Sequence, residues 1–230
     1  MFRPKKTKTL ACLATVFISF IILTSVASGV ARVEPSKFLF TLEPGERITD
    51  AIKVTNIQET ETEYIAVIYD WSLDQEDRLV TFRAGERTDS LDGLIKFNPR
   101  RFKLAPGESQ YVRFTLTAPK NGDWAERRGI IFFEENRPPG TEAVGSTVVI
   151  QVGATVYLCF TETVHSFRAY GLKIEIPAEG PPSLLLDLAN EGQAHIRYKV
   201  TYQITGEDGS TYEDYTSEEQ LILPANRRVV

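Results

Sequence analysis

The chain has 230 residues, 42% hydrophobic and 25% charged, which is enough for two domains of ordinary size and excludes a disordered polymer. Its formal net charge is −5, and removal of residues 1–31 would take away four of the 26 basic residues and none of the 31 acidic ones, leaving a body at about −9. Nucleic acid is thereby excluded as a partner, since affinity for phosphate backbones rests on clustered Lys and Arg.

In chain order, Arg3, Lys5, Lys6 and Lys8 precede an uncharged apolar run from Leu10 to Leu23, followed by small residues through Ala31. This is the pattern of a secretory signal helix, with small residues suited to cleavage after Ala27, Gly29 or Ala31. If residues 1–31 are retained, they are the one expected membrane anchor. Cys12 lies ahead of most of the apolar run, which excludes a lipoprotein site. Cys159 alone then remains in the exported body, so no intrachain disulfide is expected.

Beyond the leader, Val, Ile, Thr, Tyr and Phe recur in short runs punctuated by Pro, Gly, Asn and Asp, the composition of an all-β protein. Strands are expected over 37–40, 48–56, 64–71, 101–104, 110–117 and 129–135, with a short hairpin near 79–82 inside a solvated loop spanning 72–93. Ile48, Ile52 and Val54 form one inward row, and Val112, Phe114 and Leu116 another. The turns at Glu43-Pro44-Gly45-Glu46 and Ala105-Pro106-Gly107-Glu108 are equivalent, with Pro fixing φ at the first central position and Gly supplying a positive φ at the second. The longest apolar run is Ser146–Phe160, which predicts a single strand of about fifteen residues. Val148, Ile150, Val152, Ala154, Val156 and Leu158 fall on one face of it. After residue 162 the pattern continues more weakly, with strands expected over 172–176, 183–189, 195–205 and 221–223.

The fold class is therefore all-β. An immunoglobulin-like β-sandwich (32–162) is followed by a second, shorter immunoglobulin-like domain (163–230), incomplete or truncated, and preceded by the signal helix or anchor (1–31). No catalytic constellation is visible. His165 and His195 stand apart from any nucleophile or metal motif and are expected at the surface, and Arg100-Arg101-Lys103 and Arg127-Arg128 are expected as solvated strand ends. Cys159, in an apolar strand, is expected to keep a normal or raised pKa and not to act as a nucleophile. No enzyme activity, metal or cofactor is expected.

Val54-Thr55-Asn56, Phe97-Asn98-Pro99 and the block from Pro99 to Arg113, with Arg101-Phe102-Lys103-Leu104-Ala105-Pro106-Gly107-Glu108 at its centre, resemble the N-terminal domain of the PapD-like periplasmic chaperones of pilus assembly. The resemblance covers roughly Val33 to Phe160. It implies an exported, periplasmic chaperone or assembly protein whose partners are protein subunits of a pilus or other surface assembly. It also implies strand addition, in which Val148, Ile150 and Val152 enter a groove in a subunit lacking its final strand. Each such side chain contributes about 1.5–3 kcal/mol of transfer free energy before association costs are subtracted. The family holds the subunit's terminal carboxylate with a basic pair. Lys37 matches the first position, where Arg is usual, and Tyr157 falls at the second, where a Lys is expected, so the chain departs from the family there. The alternative reading is a structural or adhesive cell-surface β-sandwich module, which Gly129-Ile130-Ile131-Phe132-Phe133 resembles more loosely.

Overall fold

The structure, a computed structural model, describes residues 31–74, 76–136 and 151–230. The leader and the residues around Val148 and Ile150 lie outside them. The described residues contain seventeen strands and no helix.

The first ten strands form two sheets. One consists of β1 (Ala31–Glu34), β3 (Arg47–Asn56), β8 (Ser109–Thr117) and β6 (Ile95–Asn98), in that order. The other runs β2 (Lys37–Leu42), β10 (Val152–Phe160), β9 (Arg127–Glu135), β4 (Thr62–Leu73) and β5 (Leu79–Arg83), with β7 (Arg101–Leu104) also paired to β4. All pairings are antiparallel except that of β10 with β2, which is parallel. The expected inward rows meet between the sheets: Ile52, Val54, Val112, Phe114 and Leu116 face Ala66, Ile131, Phe133, Ala154, Val156 and Leu158, and all are buried. Burying rows of this kind is the main favourable term for such a sandwich.

Strands β1 and β6 are additions to the sequence expectation. Ala31, counted there with the leader, is buried and pairs with Asn56. The 72–93 segment is also less solvated than expected. Leu91 is fully buried in the core, and the buried Asp70 accepts hydrogen bonds from Ser90 Oγ (2.5 Å) and the Arg87 N–H (3.0 Å), tying the loop to β4.

The second half holds β11 (Phe167–Glu175), β12 (Ser183–Asn190), β13 (Ile196–Tyr198), β14 (Thr201–Thr205), β15 (Thr211–Thr216), β16 (Gln220–Ile222) and β17 (Arg227–Val229). They form a three-stranded sheet, β11-β12-β17, and two ladders, β13-β16 and β14-β15. Strands β15 and β17 carry few apolar residues, and the sequence reading passed over both.

One corner occurs in both halves. Asn56, fully buried at the end of β3, donates to the Thr60 and Leu104 carbonyls (2.8 and 3.0 Å) and accepts from the Gln58 N–H and Tyr64 Oη (3.0 Å each). Asn190, at the end of β12, donates to the Ala194 and Ile222 carbonyls (2.8 and 3.0 Å) and accepts from the Gly192 N–H (2.9 Å). Each asparagine also donates its backbone N–H to a Pro-containing turn, at Glu108 O and at Asn226 O (2.9 Å each). In the first turn Gly107 has φ 75°, and in the second Ala225 takes φ 60°. Buried amides of this kind persist because their donors and acceptors are satisfied.

Candidate functional site

Strand β10 connects the core to the second half of the chain. Its inward row, Ala154, Val156 and Leu158, is buried, whereas Val152, at the start, is half-buried and only partly packed on the core. On one side β10 pairs with β9 along its length, from Val152 opposite Phe133 to Leu158 opposite Arg127. On the other side, pairing with β2 starts only at Thr155, opposite Lys37. Val152, Gly153 and Ala154 therefore have no strand partner on that side among the described residues. The fifteen-residue strand of the sequence reading is corrected at this point. Gln151 is not part of the strand, and its side chain donates instead to Glu134 Oε1 at 2.7 Å. Val148 and Ile150 lie outside the described residues.

The opposite face of β10 is covered by the second half. Tyr157 is 2% exposed and lies against Trp71 (ring centroids 5.8 Å) and His195 (4.3 Å), with the Arg197 guanidinium 5.9 Å from its ring centre. Trp71, Ile130, Phe132 and Leu223 complete this second apolar cluster, which joins β4, β9 and β10 to the end of β16. Burial pushes the Tyr157 phenol above its ordinary value, against the pull of the Arg197 charge, so Tyr157 supplies no ionic group here.

Beside that cluster is a buried polar knot. Glu126, whose side chain is wholly buried, accepts at Oε2 from the His195 backbone N–H (3.1 Å), from His195 Nδ1 and from Cys159 Sγ (3.6 Å). Its other oxygen lies 3.7 Å from Arg128, which in turn pairs with Asp89 at 2.6 Å. The Glu126 N–H donates to the Gln193 carbonyl (2.9 Å), a backbone bond between the halves. Two expectations fail here. His195 and Arg128 are not surface groups, because each packs against the Glu126 carboxylate that the fold buries at the junction, and Arg127 is half-buried; His165, Arg100, Arg101 and Lys103 follow the expectation and are exposed. Burial foremost, with the adjoining Glu126 carboxylate adding to it, pushes the Cys159 thiol up to about 12. A thiol so placed is a poor nucleophile at neutral pH.

A two-sheet sandwich, a parallel strand beside the last long strand, and a second β domain docked on that strand's outer face together define the architecture. A chain of the structure described as the chaperone–tip adhesin complex of CFA/I fimbriae biogenesis is similar to it, with 15% identity and a TM-score of 0.50 over 86% of this chain and 84% of that one. The class 5 fimbriae chaperone CfaA is similar over the same shares, with 14% identity and a TM-score of 0.51. The fold is that of the fimbrial chaperones. No protein-family model matches the chain, and no curated protein matches it in sequence.

Within this chaperone fold, Lys37 is exposed at the start of β2 and faces the second half. The Glu219 carboxyl is held below its ordinary value chiefly by a hydrogen bond from Arg197 (2.8 Å), with the charges of Arg197, Lys37 and Lys199 adding to it. The charges of Arg197, Lys37 and Lys199 thus act on one carboxylate, of which Arg197 alone makes a hydrogen bond to it. The sequence reading missed Arg197 and Lys199, because nothing in their local pattern distinguishes them from ordinary strand residues. Among the described residues no group of three or more His, Cys, Asp or Glu side chains is placed to hold a metal ion.

Proposed function

We propose that this is an exported, periplasmic, non-enzymatic chaperone or assembly protein that binds subunits of a pilus or other surface structure by strand addition. The observation that supports the reading is the side of β10 at Val152–Ala154 that has no strand partner among the described residues, ahead of the point where β2 begins to pair. Those residues continue, in sequence, the apolar alternation of Val148 and Ile150. An edge held in place by β9 but unpaired on its other side has backbone groups free for an incoming strand, and alternate apolar side chains give that strand its register. The likeness to a fimbriae chaperone over both halves supports the same reading.

The chain is proposed to divide at residues 162–163. The repeated asparagine corner supports this, since each side of that point carries its own copy. Lys37 is proposed as a carboxylate anchor for the bound subunit. Arg197, and not Tyr157, is the second cation in this proposal, because Arg197 and Lys37 act on the same carboxylate in the free chain. A planar guanidinium also offers a carboxylate two parallel hydrogen bonds, which a phenol cannot.

The test is binding of a fimbrial subunit whose sandwich lacks its final strand, measured by co-purification and titration with Ile150→Asp and Lys37→Ala variants. Ile150→Asp is expected to abolish the complex, and Lys37→Ala to weaken it about tenfold, the loss of one charged hydrogen bond. Binding that is indifferent to Ile150→Asp would leave the alternative, a structural or adhesive surface module.

A further inference from the structure

The second half presents an unusual edge. Strand β11 is the outer strand of its sheet and every residue in it is exposed, including Leu172 (63%) and Ile174 (65%), with Ile176 (81%) just beyond its end. Across the ladder, Leu172 and Ile174 pair with Leu186 and Leu184, so these apolar side chains share one face of the sheet. Lys173 and Glu175 lie on the other face, where Lys173 Nζ donates to Glu175 Oε1 at 2.5 Å. Edge strands ordinarily carry charge to repel a second edge. Here the two charges are of opposite sign and two residues apart.

That spacing selects one partner. When an edge pairs antiparallel with a copy of itself, a two-fold axis passes through the register and residues equidistant from it stand opposite each other. An axis at Lys173 would set lysine against lysine, and one at Glu175 would set glutamate against glutamate. An axis at Ile174 sets Lys173 against Glu175 twice, Leu172 against Ile176 twice, and Ile174 against itself. Shifts by a half-step would place apolar side chains opposite charged ones and reverse the faces. An axis at Leu172 sets Lys173 against Gly171 and Glu175 against Ala169, across the bulge between Ala169 and Gly171, and leaves both charges unpaired, so the register at Ile174 is the one that matches charges on one face and aliphatic side chains on the other.

We propose that β11 is a self-association edge, pairing antiparallel with β11 of a second copy of this chain about a two-fold axis at Ile174. The occupant is a second copy, because charge complementarity and apolar matching both follow from the strand's own sequence. This inference does not rest on the chaperone reading, since β11 belongs to neither β10 nor the Lys37 cluster, and a failure of either leaves the other standing.

The test is sedimentation equilibrium of the purified full chain across micromolar concentrations. The wild-type chain is expected to form a dimer. Lys173→Glu, which creates two like-charge pairs, is expected to weaken it roughly tenfold, and the swap Lys173→Glu/Glu175→Lys to restore it. Because these side chains are exposed, circular dichroism melting should be unchanged in both variants. Ile174→Cys should crosslink to a disulfide dimer on mild oxidation where wild type does not, since residues opposite each other across the axis have Cβ atoms about 4.5–5.5 Å apart. A strictly monomeric wild-type chain, or a dimer that ignores Lys173→Glu, or one that the swap fails to restore, would overturn the proposal. Binding of the exposed row to an unrelated protein with no dimer formed would do the same.

Discussion

At the residue scale, Cys159 and Tyr157 both sit on the face of β10 that the second half covers, and burial raises the pKa of each. An isolated thiol between apolar neighbours is expected to be inert, and the structure adds the reason: burial, with the Glu126 carboxylate beside it, raises the cost of forming a thiolate. Because the folded thiol holds its proton up to about 12 while the unfolded one releases it near its ordinary value, the folded chain binds more protons across that window. Its contribution to stability is therefore fully present below the ordinary thiol range and is lost as pH rises toward the folded value. Cys159→Ser should flatten the alkaline arm of a denaturation-versus-pH curve relative to wild type. Mass-spectrometric alkylation should label Cys159 at mildly alkaline pH only in the presence of denaturant. Neither result is expected if the thiol is accessible and ionised in the native chain.

At the element scale, the asparagine corner joins local sequence to packing. The turn at Pro106-Gly107 is legible in the sequence because the physics is local: proline presets one dihedral and glycine accepts the next, here φ 75°. The matching turn at Pro224-Ala225 lacks the glycine and is not legible in the sequence, although Ala225 takes φ 60° in a turn closed by the Asn226 N–H to the Leu223 carbonyl, as the Glu108 N–H closes the first on Ala105. A non-glycine residue in that region costs about 1 kcal/mol. Ala225→Gly is therefore expected to stabilise the chain by about that amount, and Gly107→Ala, where an added Cβ meets no neighbour, to destabilise it similarly. Chemical denaturation of the two variants would check both signs. Strands with strong alternation, such as β3 and β8, were legible because their inward rows carry the pattern. Strands β15 and β17 were not, because a strand lying on a loosely covered sheet need not be apolar on either face.

At the scale of the whole molecule, the two halves are joined through side chains far apart in sequence. Glu126 lies between β8 and β9, while His195 immediately precedes β13, and only the docking of the second half on β10 brings them together. A carboxylate this deeply buried is tolerable because the Arg128 guanidinium and the His195 ring face it, and removing it leaves Arg128 with less compensating charge in a desolvated site and the His195 Nδ1 and N–H without their acceptor. Glu126→Ala is expected to cost about 3 kcal/mol and to separate a single thermal unfolding transition into two. Differential scanning calorimetry would show this, and a single unshifted transition would mean that the knot does not couple the halves. The same docking accounts for the surroundings of Tyr157, at the position where the chain departs from the family's basic pair. The residue standing where the family has a lysine is packed under Trp71 and His195, and the cation over its ring, Arg197, comes from a strand whose sequence gives no hint of it.

The all-β class, the inward rows of the first sandwich, the Pro-Gly turns and the inert character of Cys159 are legible in the amino-acid pattern alone. These depend on period-two burial and on dihedral preferences, which act over a few residues. The tertiary structure was needed for the start of the β2–β10 pairing at Thr155, for the cover over one face of β10 and the side left unpaired at Val152–Ala154 among the described residues, for the buried knot of Glu126, Arg128 and His195, and for the action of Arg197 and Lys37 on one carboxylate. Those relations join residues dozens of positions apart, and they are set by how two sheets and a second domain exclude water from a shared junction, which no local pattern records.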